Sequence, residues 1–308
     1  MNLVLIGAGG FLGNNLLRSF LSASKDFQLT ILSSSLRSNP DFKVHYYHWP
    51  ESSLSDGSYK DIFHKADIVI YAAGAGIQPG GETDEESIYS LNLYEPAKLV
   101  ESLNGSGFSG QFISFGSYFE SGINQPNQLL DENSFLEQNN FLPNAYCRAK
   151  KKFTRLHHIS ETTAKQFKWL HLVLTNMYGP GENANRLIPY IITGAQSGKP
   201  LHFTPGEQVR QYTFIDDVIS VIRSLLGKAS GIYHVTNKET VTVKQIILET
   251  VRQVEEKLKV KPIMYFDLPP KRDTTMDYLA VDPGKLLKEW NLACRTNHQQ
   301  GINSYFNR

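Results

Sequence analysis

Residues 1–13 read Met-Asn-Leu-Val-Leu-Ile-Gly-Ala-Gly-Gly-Phe-Leu-Gly, so an apolar strand runs directly into glycines at 7, 10 and 13. In a strand-turn-helix unit such glycines permit a tight turn, let backbone N–H groups approach a pyrophosphate, and let the helix lie close on the sheet. The spacing is G-x-x-G-x-x-G; the G-x-G-x-x-G form would need glycine at 12, where Leu12 stands. No GK[ST] follows, which disfavours a P-loop. A glycine-rich loop after a strand can also be only a turn, so the rest of the chain has to decide.

Strand-like runs at Leu3–Ile6, Gln28–Ser33, Lys43–Tyr47, Asp67–Ala72, Gln111–Ser114 and Trp169–Leu174 alternate with helical apolar spacing at Phe11–Ala23, Glu86–Leu103 and Ala145–Lys165. That alternation predicts an α/β fold, a Rossmann-like doubly wound parallel sheet. From about Asn176 the pattern becomes irregular: a loop at Asn176–Asn183, helices at Leu187–Gln196, Asp216–Leu226 and Val243–Leu258, and a buried strand at Tyr233–Thr236. The expected organisation is a dinucleotide-binding domain over 1–174 plus about 210–236, with a smaller interleaved substrate lobe over about 175–209 and 237–308.

A formal net charge of +1 over 308 residues gives no reason to invoke nucleic acid or an anionic membrane. No apolar run reaches the roughly 20 residues that a membrane span requires. Cys147 and Cys294 are isolated in sequence, too few for a C-x-x-C zinc site, and no H-E-x-x-H occurs, so no metal is expected. The histidines, among them the pairs His157-His158 and His45/His48, read as helix-surface and strand residues. Met1 leads at once into the first strand without a charged n-region or apolar h-region, which predicts a reducing, cytoplasmic setting.

A tyrosine followed four residues later by lysine places both side chains on one helix face, where the ammonium favours the phenolate. Two such pairs occur, Tyr94/Lys98 and Tyr146/Lys150, among 15 tyrosines. Tyr94 is followed by Pro96, a first-turn residue, and precedes the fifth strand, so it reads as structural. Tyr146 follows that strand, and Ser117 sits just beyond the strand's carboxyl end, the edge at which open α/β sheets bind ligands.

With these residues in place the chain resembles the extended short-chain dehydrogenase/reductase superfamily, the nucleotide-sugar epimerases, dehydratases and reductases. The resemblance runs nearly the whole length, through Gly7, Gly10 and Gly13, Tyr71-Ala72-Ala73-Gly74, Asn92, Ser117 with Tyr146 and Lys150, Asn176-Met177-Tyr178-Gly179-Pro180, Arg210–Asp217, and Arg272 with Asp282. It implies that Tyr146 donates or accepts the proton, that Ser117 hydrogen-bonds the reacting oxygen, and that Lys150 holds the nicotinamide ribose and lowers the tyrosine pKa. Expected cofactor contacts are Gly7, Gly10, Phe11, Leu12, Gly13, Ser33, Ser34, Arg37, Ala72, Ala73, Gly74, Asn92, Tyr146 and Lys150. Expected substrate contacts are Gln78, Ser117, Asn176, Arg186, Arg210 and Arg272; among them Asn176, Arg210 and Arg272 look like contacts to the substrate's pyrophosphate and nucleoside, where the guanidinium forks of the arginines suit paired phosphate oxygens. Taken singly, Ser117 could cap a strand end, Asn176 could serve a turn and Arg210 could be a surface charge. A homodimer through the Glu86–Leu103 and Ala145–Lys165 helices is implied as well.

Departures from the family pattern narrow the chemistry. Family dehydratases carry Asp-Glu directly after the active-site hydroxyl, where this chain has Tyr118-Phe119, and the cysteine some epimerase-reductases place close behind the serine is missing. What remains is hydride transfer at a carbinol or ketone. Ser33-Ser34-Ser35-Leu36-Arg37 supplies hydroxyls and a cation where an acidic residue would bind a free ribose 2′-hydroxyl, so NADP(H) is favoured and NAD(H) possible. A solvated Ser-rich loop is the alternative for that segment. The leading expectation is an NADPH-dependent reductase of a nucleotide-linked 4-keto-6-deoxy sugar for surface polysaccharide. An NAD-dependent C4 or C2 epimerase stands as the alternative, and a non-catalytic NAD(P)-binding sensor as a second. Gln211, where the family usually has an acid, and Val173, where it commonly has arginine, put the sugar in doubt rather than the reaction.

Overall fold

The computed structural model describes residues 1–23, 27–34, 44–49, 54, 57–76, 84–161, 166–269 and 276–307. Its main sheet contains β1 (Asn2–Ile6), β2 (Gln28–Ser33), β3 (Val44–His48), β4 (Ile68–Tyr71), β5 (Gln111–Ser117) and β6 (Lys168–Leu174). Short strands follow at β7 (Asn176–Tyr178), β8 (Leu201–His202), β9 (Val209–Arg210) and β10 (Tyr212–Phe214). β11 (Gly231–Val235) completes the main sheet, and β12 (Val241–Thr242) and β13 (Met264–Tyr265) are again short. The order β11-β6-β5-β4-β1-β2-β3 makes a seven-stranded Rossmann-like sheet, parallel at β2–β1, β1–β4, β4–β5 and β2–β3. Leu3 to Ile6 and Ile68 to Tyr71 are buried at every position. A parallel sheet covered on both faces calls for such continuous apolar runs instead of alternation, and each fully buried Leu or Ile contributes about 2 kcal/mol of transfer free energy.

The helices are α1 (Phe11–Ser22), α2 (Lys60–His64), α3 (Glu85–Tyr89), α4 (Glu95–Ser106), α5 (Glu132–Glu137), α6 (Ala145–Ser160), α7 (Leu187–Gln196), α8 (Ile215–Leu225), α9 (Val243–Leu258), α10 (Gly284–Trp290) and α11 (His298–Asn303). The single helix predicted at Glu86–Leu103 is instead α3, a π-helical turn at Ser90–Tyr94, and α4. Pro96 enters at the start of α4, where its missing N–H is best tolerated. Asn144 caps α6 by accepting from the Cys147 N–H at 3.0 Å.

The chain divides into two compact units. The first comprises Met1–Glu120, Leu142–Val173 and Ile219–Tyr233; the second comprises Ser121–Phe141, Leu174–Val218 and His234–Arg308. Residues 121–141, placed with the dinucleotide domain on sequence grounds, thus fall in the second unit, and so do 174, 210–218 and 234–236. Long-range bonds explain the placement of the former: Leu130 bridges Val281, and Glu132 accepts from the His234 N–H at 2.9 Å. Asn176–Tyr178, predicted as loop, is a strand paired in parallel with β10. Three residues are too few to show an alternating pattern in sequence.

Candidate active site

Backbone hydrogen bonds hold the opening turn. The Gly7 N–H donates to the Leu32 carbonyl at 3.0 Å and the Gly10 N–H to the Gly7 carbonyl at 3.3 Å. Gly7 has φ +87°, and a Cβ there would stand 2.4 Å from the Ala73 nitrogen; a Cβ at Gly13 would stand 2.1 Å from the Gly7 carbonyl oxygen. The turn is therefore closed to side chains and lies against the Ala72-Ala73 segment after β4. Gly10 is the N-cap of α1 without a side-chain cap, and the first turn of α1 has no acidic residue. Phe11 is half-buried and Leu12 buried, directed into the helix's inner face. A 12-residue helix whose first N–H groups receive no side-chain cap is suited to an anion such as a pyrophosphate.

Asn92 lies in the π-helical turn and is buried; its Nδ2 donates to the Ala75 and Ile88 carbonyls, each at 2.8 Å. Its Oδ1 has no hydrogen-bond partner and would lie 3.0 Å from a Cβ at Gly74. An orphaned buried acceptor beside the Ala72–Gly76 loop, together with the backbone cradle, fits a dinucleotide in this unit. Ser33 ends β2 buried and Ser34 is exposed. Arg37, Gln78 and Arg272 lie outside the described residues.

β5 runs through Ser117, three residues further than predicted, and all seven of its residues are buried. Ser117 stands at its carboxyl end, with the Phe119 N–H 3.4 Å from its Oγ. On α6, Lys150 Nζ donates to the Phe115 carbonyl at 2.8 Å, which brings the ammonium to the end of β5. Burial pulls the Lys150 pKa down to about 8, opposed by the charge of Glu120. Tyr146 lies one turn earlier on the helix, half-buried against Ile88, Ala145 and Ala149. The other Tyr-Lys pair is engaged elsewhere: Tyr94 is exposed and stacks on Tyr89, and Lys98 pairs with Glu95 at 2.9 Å.

Next to Ser117 lies a buried group of side chains that no motif in the sequence marks. Glu120, Thr154 and His171 are all fully buried, and a Cβ at Gly116 would be 2.6 Å from His171 Nε2 and 2.8 Å from Glu120 Oε1. A glycine inside a buried strand is the available signal. His157 is buried too, with Nε2 3.1 Å from the Trp169 carbonyl, which corrects its reading as a helix-surface residue. Its ring lies on the α6 face turned toward Trp169, at a centroid distance of 4.6 Å.

In the second unit, Asn176 is paired with Tyr212 across β7 and β10, and the charges of Arg186 and Arg210 reach the Tyr212 hydroxyl. Burial pushes the pKa of that hydroxyl up to about 12, and Asn176 hydrogen-bonds it. Arg186 is exposed, its Nε 3.4 Å from Glu182 Oε2 and its Nη2 3.3 Å from the Met177 carbonyl. Arg210 is not a surface charge: it is 1% exposed, with Nη1 donating to the Val209 carbonyl at 2.7 Å. Tyr305 ties the Gly179 loop down, accepting from the Gly179 N–H at 2.7 Å and donating to Glu182. Gln211 is a clamp on backbone: its Nε2 donates to the Asn237 and Val281 carbonyls and its Oε1 accepts from the Val281 N–H at 2.9 Å. A carboxylate could not donate those two bonds. Among the described residues no cluster of three potential metal ligands occurs, and no helix is long and apolar enough to cross a membrane.

The model of a family described as NAD dependent epimerase/dehydratase matches residues 3–237. A dTDP-glucose 4,6-dehydratase of Haemophilus influenzae is 24% identical, the alignment covering 97% of this chain and 92% of that protein. A CDP-abequose synthase of Yersinia pseudotuberculosis is also 24% identical, covering 82% of each. Among solved structures, a UDP-glucose 4-epimerase of Thermotoga maritima with UDP-glucose superimposes with a TM-score of 0.81 at 18% identity, covering 100% of this chain and 99% of that one. A UDP-glucose 4-epimerase of Thermus thermophilus in complex with NAD gives 0.80 at 17% identity, covering 100% and 98%. These structures share the fold.

Proposed function

The chain belongs to the NAD dependent epimerase/dehydratase family, and from that premise we propose that it is an NADPH-dependent reductase of a nucleotide-linked 4-keto-6-deoxy sugar. The observation that carries this reading is the Lys150 ammonium fixed on the Phe115 carbonyl at the end of β5, one helical turn from Tyr146 and two residues from Ser117. The Gly7–Gly13 turn, the N-terminus of α1 and Asn92 hold the dinucleotide. When bound, its nicotinamide supplies the hydride. Ser117 Oγ orients the keto oxygen, and Tyr146 gives its proton to that oxygen as charge builds there. The positive charge of Lys150 makes the phenol the stronger acid.

Dehydration is disfavoured on this reading because Tyr118 and Phe119 follow Ser117, and the next carboxyl along the chain, Glu120, has both oxygens turned into the buried network. Asn176, Arg186, Arg210 and Arg272 bind the nucleotide and its diphosphate, and Gln78 contacts the hexose. Arg37, with Ser33 and Ser34, receives the 2′-phosphate. The similarity to a dehydratase and a synthase named for nucleotide sugars supports the substrate class, and a deoxyhexose for surface polysaccharide is the product. The test is a screen of UDP-, dTDP-, CDP- and GDP-4-keto-6-deoxy sugars with NADPH, followed by loss of reduced-cofactor absorbance. Stoichiometric oxidation with one of them supports the reading. A purified protein that carries bound NAD and interconverts a sugar epimer with none added replaces it with epimerisation.

A further inference from the structure

Glu120 lies three residues beyond Ser117, and its side chain has no exposed surface. Its Oε1 accepts from the Ser117 backbone N–H at 2.6 Å and its Oε2 from the Thr154 hydroxyl at 2.5 Å. The network continues from Thr154 Oγ1 to His171 Nε2 at 2.9 Å and from His171 Nδ1 to Ser114 Oγ at 2.7 Å, where Trp169 Nε1 donates to Ser114 at 2.8 Å. One proton arrangement satisfies every member and ends on a carboxylate. Trp169 donates to Ser114, Ser114 to His171 Nδ1, His171 Nε2–H to Thr154, and Thr154 to Glu120. It requires a neutral imidazole, and burial holds the His171 pKa well below its ordinary value.

We propose that Glu120 is a positioning residue of the Ser117–Lys150 site, its buried carboxylate clamping the Ser117 amide and serving as the counter-charge of the Lys150 ammonium. The groups that face it come from three elements. Lys150, Lys151 and Thr154 come from α6, the neutral His171 from β6 with His157 beside it, and the Ser117 amide from β5. Both lysines are pulled down to about 8 by burial, and Glu120 opposes this in each; burial likewise pushes the Glu120 carboxyl up, opposed by its bonds from Thr154 and Ser117 and by the two lysine charges. An amide at 120 can accept from the Ser117 N–H, but its NH2 cannot accept from Thr154, so in Glu120→Gln the Thr154–His171 bonds must reverse; the charge is lost in either case. The proposal rests on Lys150 acting as an ammonium in the reading given above.

The decisive measurement is the midpoint of the Lys150 ¹³Cε resonance, identified by its absence in Lys150→Met, titrated in lysine-labelled wild type and in Glu120→Gln without cofactor. The midpoint falls in Glu120→Gln by about half a pH unit or more, because the charge that favoured the ammonium is gone. Coupling is reciprocal, so in Lys150→Met the Glu120 carboxyl resonance titrates higher by a similar amount, a readout that does not need the Glu120 variant to fold. An unmoved midpoint in either folded variant overturns the proposal. A separate fluorescence titration of the wild type with NADPH and NADH keeps the two claims apart. With binding present, an unmoved midpoint sinks the role of Glu120 alone. Absent binding sinks the dinucleotide reading, and any positioning role with it.

Discussion

The Ser117–Lys150 cluster and the Asn176–Arg186–Arg210 cluster are built by different means. The first is assembled from locally encoded pieces, a strand end, two residues four apart on one helix and a glycine turn, with the Lys150–Phe115 bond joining helix to strand. The second depends on bonds between distant parts of the chain, such as Tyr305 to the Gly179 loop, Gln211 to Val281, and Thr296 to Asp217, whose carboxylate accepts from the Thr296 N–H at 2.8 Å. Local spacing is written in sequence; a hydroxyl that arrives from 126 residues away is not. The two clusters should therefore fail differently when single atoms are removed.

The largest effect is expected at Tyr146→Phe, which should reduce turnover by about 10³-fold or more and leave NADPH affinity unchanged. Tyr94→Phe should leave both intact; equal losses would erase the distinction between the two Tyr-Lys pairs. Gly13→Ala comes next. Its Cβ meets a backbone carbonyl at 2.1 Å that cannot swing away, so urea denaturation should show a loss of about 3 kcal/mol or more, with dinucleotide binding lost as well.

Acid should weaken the second unit through His234, whose pKa burial lowers to about 4. A depressed histidine is neutral when folded, so its contribution is complete above about pH 6.5 and is lost as the pH falls toward 4, about 3 kcal/mol in all. His234→Gln should flatten that slope in denaturation curves between pH 7 and 4.5, leaving the loss of the same sign from His171 in the first unit. Tyr305→Phe removes the donor to the largely buried Glu182 and the acceptor for the Gly179 N–H. It should cost about 1–3 kcal/mol and raise the KM for the nucleotide sugar without touching NADPH affinity. The smallest change is Arg37→Ala, which should cut the NADPH-over-NADH preference about tenfold, or about 1.4 kcal/mol. An unchanged ratio would assign the Ser33–Arg37 segment to solvent.

The parallel sheet, the glycine turn and the Tyr146-Lys150 spacing are all legible in the amino-acid sequence, because each is a repeat or spacing of the kind that backbone geometry imposes. Asn176, Arg186 and Arg210 can be named there only through resemblance, and nothing in their spacing shows that all three act on Tyr212. The bonds of Gln211 to Asn237 and Val281 explain a residue that in sequence looks like a departure bearing on the sugar. Glu120, Thr154 and His171 escape a sequence reading for a similar reason: they come from a turn, a helix and a strand, and become one network only when α6 and β6 pack against the end of β5. Gly116 alone hints at that crowding.

The most direct test of the account follows the hydrogen itself. With NADPH deuterated at the transferable position of the nicotinamide and a nucleotide 4-keto-6-deoxy sugar accepted in the screen, mass spectrometry and NMR of the product should find deuterium at the sugar's C4 in wild type and essentially none in Tyr146→Phe. Reduced sugar without deuterium at C4, or equal labelling by the phenylalanine variant, would contradict it.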